Sequence, residues 1–318
     1  MKLTNTLTII TILIIILSVI GHIIRDLTVE LALLMYIPLL PLGLWTILWG
    51  ALKTDRYFLI FLGLAIIIWG GVSMMGTGGT LVSLERNINI VHWNVRWGGG
   101  WQSVTKDIKQ KQPDIIIISE TPSKSKLNQL LKQLGNKWSM VMYSEKRKNP
   151  LAVYSAWPLK LEHYIKIHNA RAMTVIVTVY GQPLRLLAID AGRNMSERLT
   201  FMSKKVLPRW RTPMLMSMLN TIKSYHANGK PIDIIVGDFN ALSRSLGFEK
   251  FNNVAGGYHL AAKFSFGWRG TWISYLPLYD LDHVWVHKRF QELETELFAN
   301  FNTDHRGQVV HLHIPFPM

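Results

Sequence analysis

Cysteine is absent from the 318-residue chain, which excludes disulfides, thiolate catalysis and cysteine-ligated zinc. Acidic residues are scarce: 20 Asp and Glu stand against 35 Lys and Arg, a formal charge of +15. Beyond residue 80 lie 31 of the basic and 17 of the acidic residues, so the imbalance belongs to that part of the chain. Such an excess either serves solubility or marks an anionic partner: nucleic acid, a phosphorylated molecule or an acidic membrane surface. Repeats and low-complexity tracts are also missing, which excludes a repeat array.

The first eighty residues hold few charges and three apolar runs, Leu7–Ile24, Leu31–Leu52 and Tyr57–Met75. Each run has about the length that crosses roughly 30 Å of hydrocarbon as a helix. A signal peptide fits poorly, because the first run is long and no small-residue cleavage site follows it. A buried soluble bundle is the alternative to three transmembrane helices. Pro38 and Pro41 kink the second span, while Trp45, Trp49, Tyr57 and Trp69 include interfacial anchors. Lys2, Lys53 and Arg56 fall on one side, Arg25 and Arg86 on the other. By the positive-inside rule this puts the amino terminus in the cytoplasm and the large domain outside, on a multi-pass cell-membrane protein. Gly76, Gly78 and Gly79 make Thr77–Thr80 a flexible linker. The expected division is a membrane anchor at 1–80, a linker at 81–86 and a domain at 87–318.

From Asn87 the pattern changes to short strands with interspersed helices. Strands are expected at Ile88–Val95, Ile115–Ser119, Trp138–Tyr143, Leu151–Ser155, Met173–Tyr180, Leu184–Asp190, Ile232–Val236, Leu281–His287, Glu292–Phe298 and Val309–Ile314. Ile115–Ser119 is apolar throughout, so it reads as buried on both faces. Helices are expected at Val104–Lys111, Leu127–Leu134, Ser196–Val206 and Met214–His226, and Gly181–Gln182 makes a hairpin turn. This order predicts an α/β fold of two packed sheets covered by helices.

Several strand ends carry polar groups: Asn94, Glu120, Asp238 with Asn240, and Asp282 with His283. Thr303–Arg306, reading TDHR, precedes the last strand. Any one of these acids and amides reads equally as a turn former; their recurrence in one domain points to a shared site. The pieces HWNVRWG (His92–Gly98), PDIIIISE (Pro113–Glu120), GDFNA (Gly237–Ala241), GTW (Gly270–Trp272), LDHVWV (Leu281–Val286) and TDHR resemble the endonuclease/exonuclease/phosphatase superfamily, in its order, from about Asn87 to Ile314.

The resemblance implies a four-layered α/β sandwich with a pancreatic deoxyribonuclease-like fold. It also implies divalent-metal-dependent hydrolysis of phosphate esters. Glu120 would be the main ligand of Mg²⁺ or Mn²⁺, with Asn94 and Asp304 completing the metal site. Asp238 would deprotonate the attacking water and Asn240 would hold a phosphate oxygen. His305 would donate to the charge developing on phosphorus, oriented by Asp282. The substrate would be an anionic phosphate ester: nucleic acid, lipid or small molecule. Two positions depart from the family pattern: Asp190 stands where a second histidine is expected, and Ile273 where proline often follows GTW. Asp190 would then bind metal, or Arg193, Arg171 or His168 would supply positive charge. Trp93, Trp97, Trp101, Trp268 and Trp272 either stack on bases or sugars or fill the core. The basic runs at Lys146–Lys148 and around Trp210 contact phosphate or stay solvated. A binding module without catalysis, docking an anionic partner at the membrane, is the competing reading.

Overall fold

In the computed structural model the described residues are 2–52, 56–79, 85–145, 148–168, 170–192, 211–291 and 293–315. Two compact units emerge: Met1–Met75, joined by Thr212 and Arg244–Leu246, and a larger unit that starts at Gly76.

The smaller unit is helical: α1 (Lys2–Ile24), α2 (Val29–Met35), α3 (Leu39–Ala51) and α4 (Arg56–Met74). Among the described residues, only α1 and α4 contain windows long and apolar enough to span a membrane, Asn5–Ile24 and Tyr57–Met74. The expected second span is corrected to two helices, broken at Tyr36–Pro38. Backbone chemistry explains the break. Pro38 and Pro41 lack the N–H groups that would bond the carbonyls of Leu34 and Ile37. Ile37 N–H turns back to Leu34 O at 3.2 Å, and His22 Nε2 lies 3.0 Å from Ile37 O. The Trp45 and Trp49 indoles donate to Thr11 and Thr8 of α1, each at 3.1 Å. A Cβ added at Gly43 would meet Gly63 O at 2.8 Å, so glycine lets α3 and α4 approach closely. Asp26, 2 % exposed, accepts from Leu246 N at 2.8 Å and from the Thr212 and Ser245 hydroxyls.

The larger unit contains twelve sandwich strands among the described residues: β1 (Asn87–Asn94), β2 (Ile115–Ser119), β3 (Ser139–Glu145), β4 (Lys148–Ser155), β5 (Leu159–Ile167), β6 (Ala170–Val179), β7 (Gln182–Asp190), β8 (Ile234–Asp238), β9 (Tyr258–Leu260), β10 (Asp282–His287), β11 (Leu293–Phe298) and β12 (Gly307–His313). One sheet has the order β11-β12-β1-β2-β4-β3 and the other β9-β10-β8-β7-β6-β5. Each holds a single parallel pair, β1–β2 and β7–β8. Helices α5 (Trp101–Gln110), α6 (Lys124–Leu134) and α7 (Thr212–Ala227) follow.

Alternation sorts the side chains into layers. Ile88, Ile90, Ile115, Ile117, Leu186, Ile234, Val236 and Val284 meet between the sheets. Val91, Trp93, Ile116 and Ile118 face the other way, onto Val104 and Ile108 of α5 and Leu127 of α6. Leu187, Ile189 and Ile235 pack on Met218 and Ile222 of α7. The result is an α/β sandwich of two mixed sheets flanked by helices. Strand β5, unexpected from sequence, is an edge strand bearing Lys160, Glu162 and Lys166, charges that edges commonly carry. The hairpin turn falls on Tyr180 and Gly181, both at positive φ, one residue before the expected pair. Met75–Thr77, partly assigned to a flexible linker, pairs with Phe266–Trp268. The helix expected at Ser196–Val206 lies outside the described residues.

Gly237 is the tightest point of β8. Its φ is +153°, and an added Cβ would lie 1.8 Å from Ile189 O. Gly237→Ala is expected to destabilise this unit by about 3 kcal/mol through overpacking and backbone strain. Urea unfolding followed by core tryptophan fluorescence measures this; an unchanged midpoint contradicts it.

Candidate active site

Three aspartates stand in a row across one sheet. Asp238 ends β8, with Asp190 of β7 beside it in the parallel register and Asp282 of β10 opposite it in the antiparallel one. Their exposures are 1 %, 3 % and 1 %. Like charges at neighbouring register positions repel, so this row demands positive charge. His305, 6 % exposed, supplies one: its Nδ1 lies 2.6 Å from Asp282 Oδ2. One ligand atom each from Asp238, Asp282 and His305 falls within 4.8 Å of the others.

Three strained turns, holding four residues at positive φ, aim the groups around this row. Arg96, Trp97, Glu120 and Asn240 all have positive φ, between 43° and 60°, in the left-handed region that costs a non-glycine residue roughly 1–3 kcal/mol. Each follows closely on a strand end. Two turns lean on each other, since Trp97 N–H donates to Glu120 O at 2.7 Å. Asn94 and Glu120 are brought together because Asn94 pairs in register with Ser119.

Asp238 is held by three donors: Asn94 Nδ2 at 2.9 Å, Asn240 N at 2.8 Å and Asn240 Nδ2 at 2.9 Å. A carboxylate offers about four acceptor positions, so one remains. Burial and the nearby Asp282 push Asp238 well above the usual carboxylate range. For Asp282, burial acts upward, but His305 outweighs it and holds the carboxyl low. For His305, burial acts downward; Asp282 outweighs it and raises the imidazole to about 10. The carboxylate on Nδ1 fixes the ring and leaves Nε2–H as donor. Behind the pair, Gln308 Nε2 donates to Asp282 O at 2.8 Å and Trp93 Nε1 to His305 O at 3.0 Å.

Asp304 is half-buried and lies 3.6 Å from Arg96 Nε, while Arg96 N–H donates to Asn94 Oδ1 at 3.0 Å. Arg96, inside HWNVRWG, is the cation that sequence reasoning missed. His92 is the other omission: buried, bonded through Nε2 to Ser119 Oγ at 3.1 Å, and lowered to about 4 chiefly by burial, hence neutral. Asp190 Oδ1 accepts from Gly192 N at 2.8 Å, and Arg171 faces it across β6–β7. Arg193, Lys146, Arg147 and Arg209 lie outside the described residues. Of the tryptophans, Trp93 and Trp101 are core residues, whereas Trp97 is 38 % exposed.

The donor set fits a hard cation. Asp282 Oδ1 and Asp304 Oδ1 are buried with no hydrogen-bond partner among the described residues, and hard divalent cations take carboxylate and amide oxygens.

His305 raised above its ordinary value of about 6.5 stabilises the fold fully below that pH, and the contribution is lost as pH rises through about 10. In metal-free protein, imidazole NMR shifts of His305 are expected to titrate near 10; Asp282→Asn moves the midpoint back toward about 6.5. A native midpoint near 6.5 contradicts the pairing.

With this geometry in hand, comparison with known proteins places the fold. The human Nocturnin catalytic domain with bound sulfate is 17 % identical, with a TM-score of 0.53 over 74 % of this chain and 97 % of that one. Danio rerio TDP2 complexed with single-strand DNA product is 15 % identical, TM-score 0.52, covering 72 % and 100 %. A Bacteroides vulgatus endonuclease/exonuclease/phosphatase is 14 % identical, TM-score 0.53, covering 72 % and 99 %. At such identities the likeness establishes fold alone. No curated protein matches in sequence. The profile described as Endonuclease/Exonuclease/phosphatase family matches residues 91–305, two thirds of the chain and the whole span from Asn94 to His305, and the chain belongs to that family.

Proposed function

We propose that the protein is a membrane-anchored, divalent-metal-dependent phosphoesterase. The observation that carries this reading is the buried Asp238–Asp282–His305 group, with a carboxylate poised to take a proton and an imidazolium poised to give one. Raised basicity suits Asp238 to accept the proton of an attacking water, through the one acceptor position its three donors leave. Asn240, whose amide also braces Asp238, would hold a phosphate oxygen. His305 Nε2–H donates to the negative charge growing on phosphorus, and Asp282 maintains that charge state. Asp190 cannot donate as a histidine would; beside Asp238 it adds repulsion that raises the base further. Glu120, Asn94 and Asp304 would hold Mg²⁺ or Mn²⁺, whose chemistry here is neutralising substrate charge and stabilising the leaving oxygen.

The anchor reading rests on the surface of the smaller unit. Only 28 % and 22 % of the two apolar windows are buried, and Ile9, Ile23, Phe58, Phe61, Ile68 and Val72 are each more than 60 % exposed. Helices apolar all round, with outward-facing bulk, suit lipid rather than water. Residues 29–51 would cross as a broken pair whose kink is satisfied internally, as such helices require. Three crossings keep the domain opposite the amino terminus, outside the cytoplasm.

Full-length protein in detergent or vesicles, assayed on DNA, RNA, phospholipid and phosphomonoester panels, tests the proposal. Hydrolysis is expected to need Mg²⁺ or Mn²⁺ and to fall about 10³-fold in Asp238→Asn, with Glu120→Gln raising the metal concentration required. Activity that ignores chelation, or survives Asp238→Asn, overturns the mechanism.

A further inference from the structure

The loops beside the site carry large apolar side chains that the fold leaves uncovered. Phe301 is 91 % exposed, Phe266 79 %, Tyr275 70 % and Leu276 58 %, with Trp97 at 38 %. Trp97, Tyr275, Leu276 and Phe301 belong to neighbouring loops, and Phe266 to the short strand Phe266–Trp268. Ser274 Oγ donates to Asn300 O at 3.2 Å, which brings Tyr275 near Phe301. The turn holding Trp97 ends at Gly100, where an added Cβ would meet Asn302 at 2.3 Å. These loops are also bound to the catalytic groups: Ser274 N–H donates to Asp304 O at 2.9 Å, and Trp272 pairs with His305 as an isolated bridge. Each apolar side chain except Phe266 thus stands within three residues of a site residue or of its direct partner.

Phe266 shows what this rim meets. It lies on the strand that pairs with Met75–Thr77, and Gly78 N–H donates to Ser265 O at 3.0 Å. Helix α4 ends at Met74, so the chain reaches Gly78 within four residues, roughly 14 Å even when extended. If α4 spans the bilayer, Phe266 is tethered to its surface. The same segment continues into the rim: the Trp268 indole donates to Pro277 O, and Arg306 NH1 donates to Trp268 O at 3.0 Å. Aromatic and leucine side chains of this kind settle at the headgroup boundary of a bilayer. The exposed Arg96 guanidinium beside Asp304 adds attraction for anionic headgroups.

We propose that Trp97, Phe266, Tyr275, Leu276 and Phe301 form a docking rim that inserts into the membrane interface, so that the site takes phosphate esters presented by lipid headgroups. This rests on the phosphoesterase and anchor readings above and narrows their substrate to one held in the bilayer.

Because the chain lacks cysteine, single labels are clean. Full-length Leu276→Cys and Phe301→Cys, carrying an environment-sensitive fluorophore, are reconstituted in phosphatidylcholine–phosphatidylglycerol vesicles containing doxyl lipid. Leu64→Cys in α4 serves as the bilayer reference. Lys230→Cys, before the amino end of β8 and so at the opposite end of that strand from Asp238, serves as the aqueous one. The rim labels are expected to lose about half their emission or more, as interfacial groups do, with Lys230→Cys unchanged. Rim labels that match Lys230→Cys while Leu64→Cys is quenched overturn the rim. An unquenched Leu64→Cys overturns the anchor and the rim together. A rim response to single-stranded DNA but not to lipid overturns the proposal in favour of a base-stacking platform. Hydrolysis of phospholipid in these vesicles, and of a water-soluble phosphomonoester and diester, reads the site separately: lipid hydrolysis is expected, hydrolysis of a soluble ester but not of lipid overturns the bilayer-held substrate, and quenched rim labels with no hydrolysis of any of the three overturn the catalytic reading beneath the surface.

Discussion

A row of carboxylates buried at a sheet end needs positive charge within hydrogen-bond reach, and His305 supplies it. Its 2.6 Å contact with Asp282 removes two groups from water together, which is tolerable only when the pair is close and further bonded. Gln308, Trp93 and Thr303 hold the backbone on which the pair sits, donating to the carbonyls of Asp282 and His305, Thr303 through its hydroxyl to His305 O at 2.7 Å. With Asp282 matched to His305, the surplus negative charge falls on Asp238 and Asp190. Burial and that surplus make Asp238 basic, and a surplus of buried carboxylate suits a hard cation.

The sandwich produces this arrangement through two parallel pairs. β1–β2 ends at Asn94 and Glu120, and β7–β8 ends at Asp190 and Asp238; one pair lies in each sheet. The left-handed turns at Arg96, Trp97, Glu120 and Asn240 then bend the chain sharply off the strands. Their strain is sustained because the strands they leave are buried throughout, as β2 and β8 show. The same rigidity leaves the intervening loops free to present apolar side chains outward.

Much of the site was legible because chemistry there is tied to strand ends. Ile115–Ser119 has the same limits in sequence and structure, since a strand buried on both faces leaves a continuous apolar run. GDFN, DHV and TDHR announced their groups by type. Other features left no such trace. Hydropathy is blind to a missing N–H, so the break at Tyr36–Pro38 passed for a single span although Pro38 and Pro41 were in view. β5 hid its pattern under edge charges. Arg96 read as a filler within a motif, because its pairing with Asp304 joins residues some two hundred positions apart. Asn94 was expected to serve the metal; its amide nitrogen in fact donates to Asp238, leaving its oxygen side, bonded by Arg96 N–H, for a cation. The weight of Asp190 likewise depends on register: only pairing in the sheet reveals that it stands beside Asp238.

The central claim is that water held by Asp238 attacks phosphorus directly. The stereochemical course of hydrolysis of a chiral phosphorothioate diester in ¹⁸O-water, run on the full-length protein with Mn²⁺, tests it most directly. The account predicts inversion at phosphorus, with ¹⁸O in the phosphoryl product. Retention, which requires a covalent enzyme intermediate and a second displacement, would contradict it.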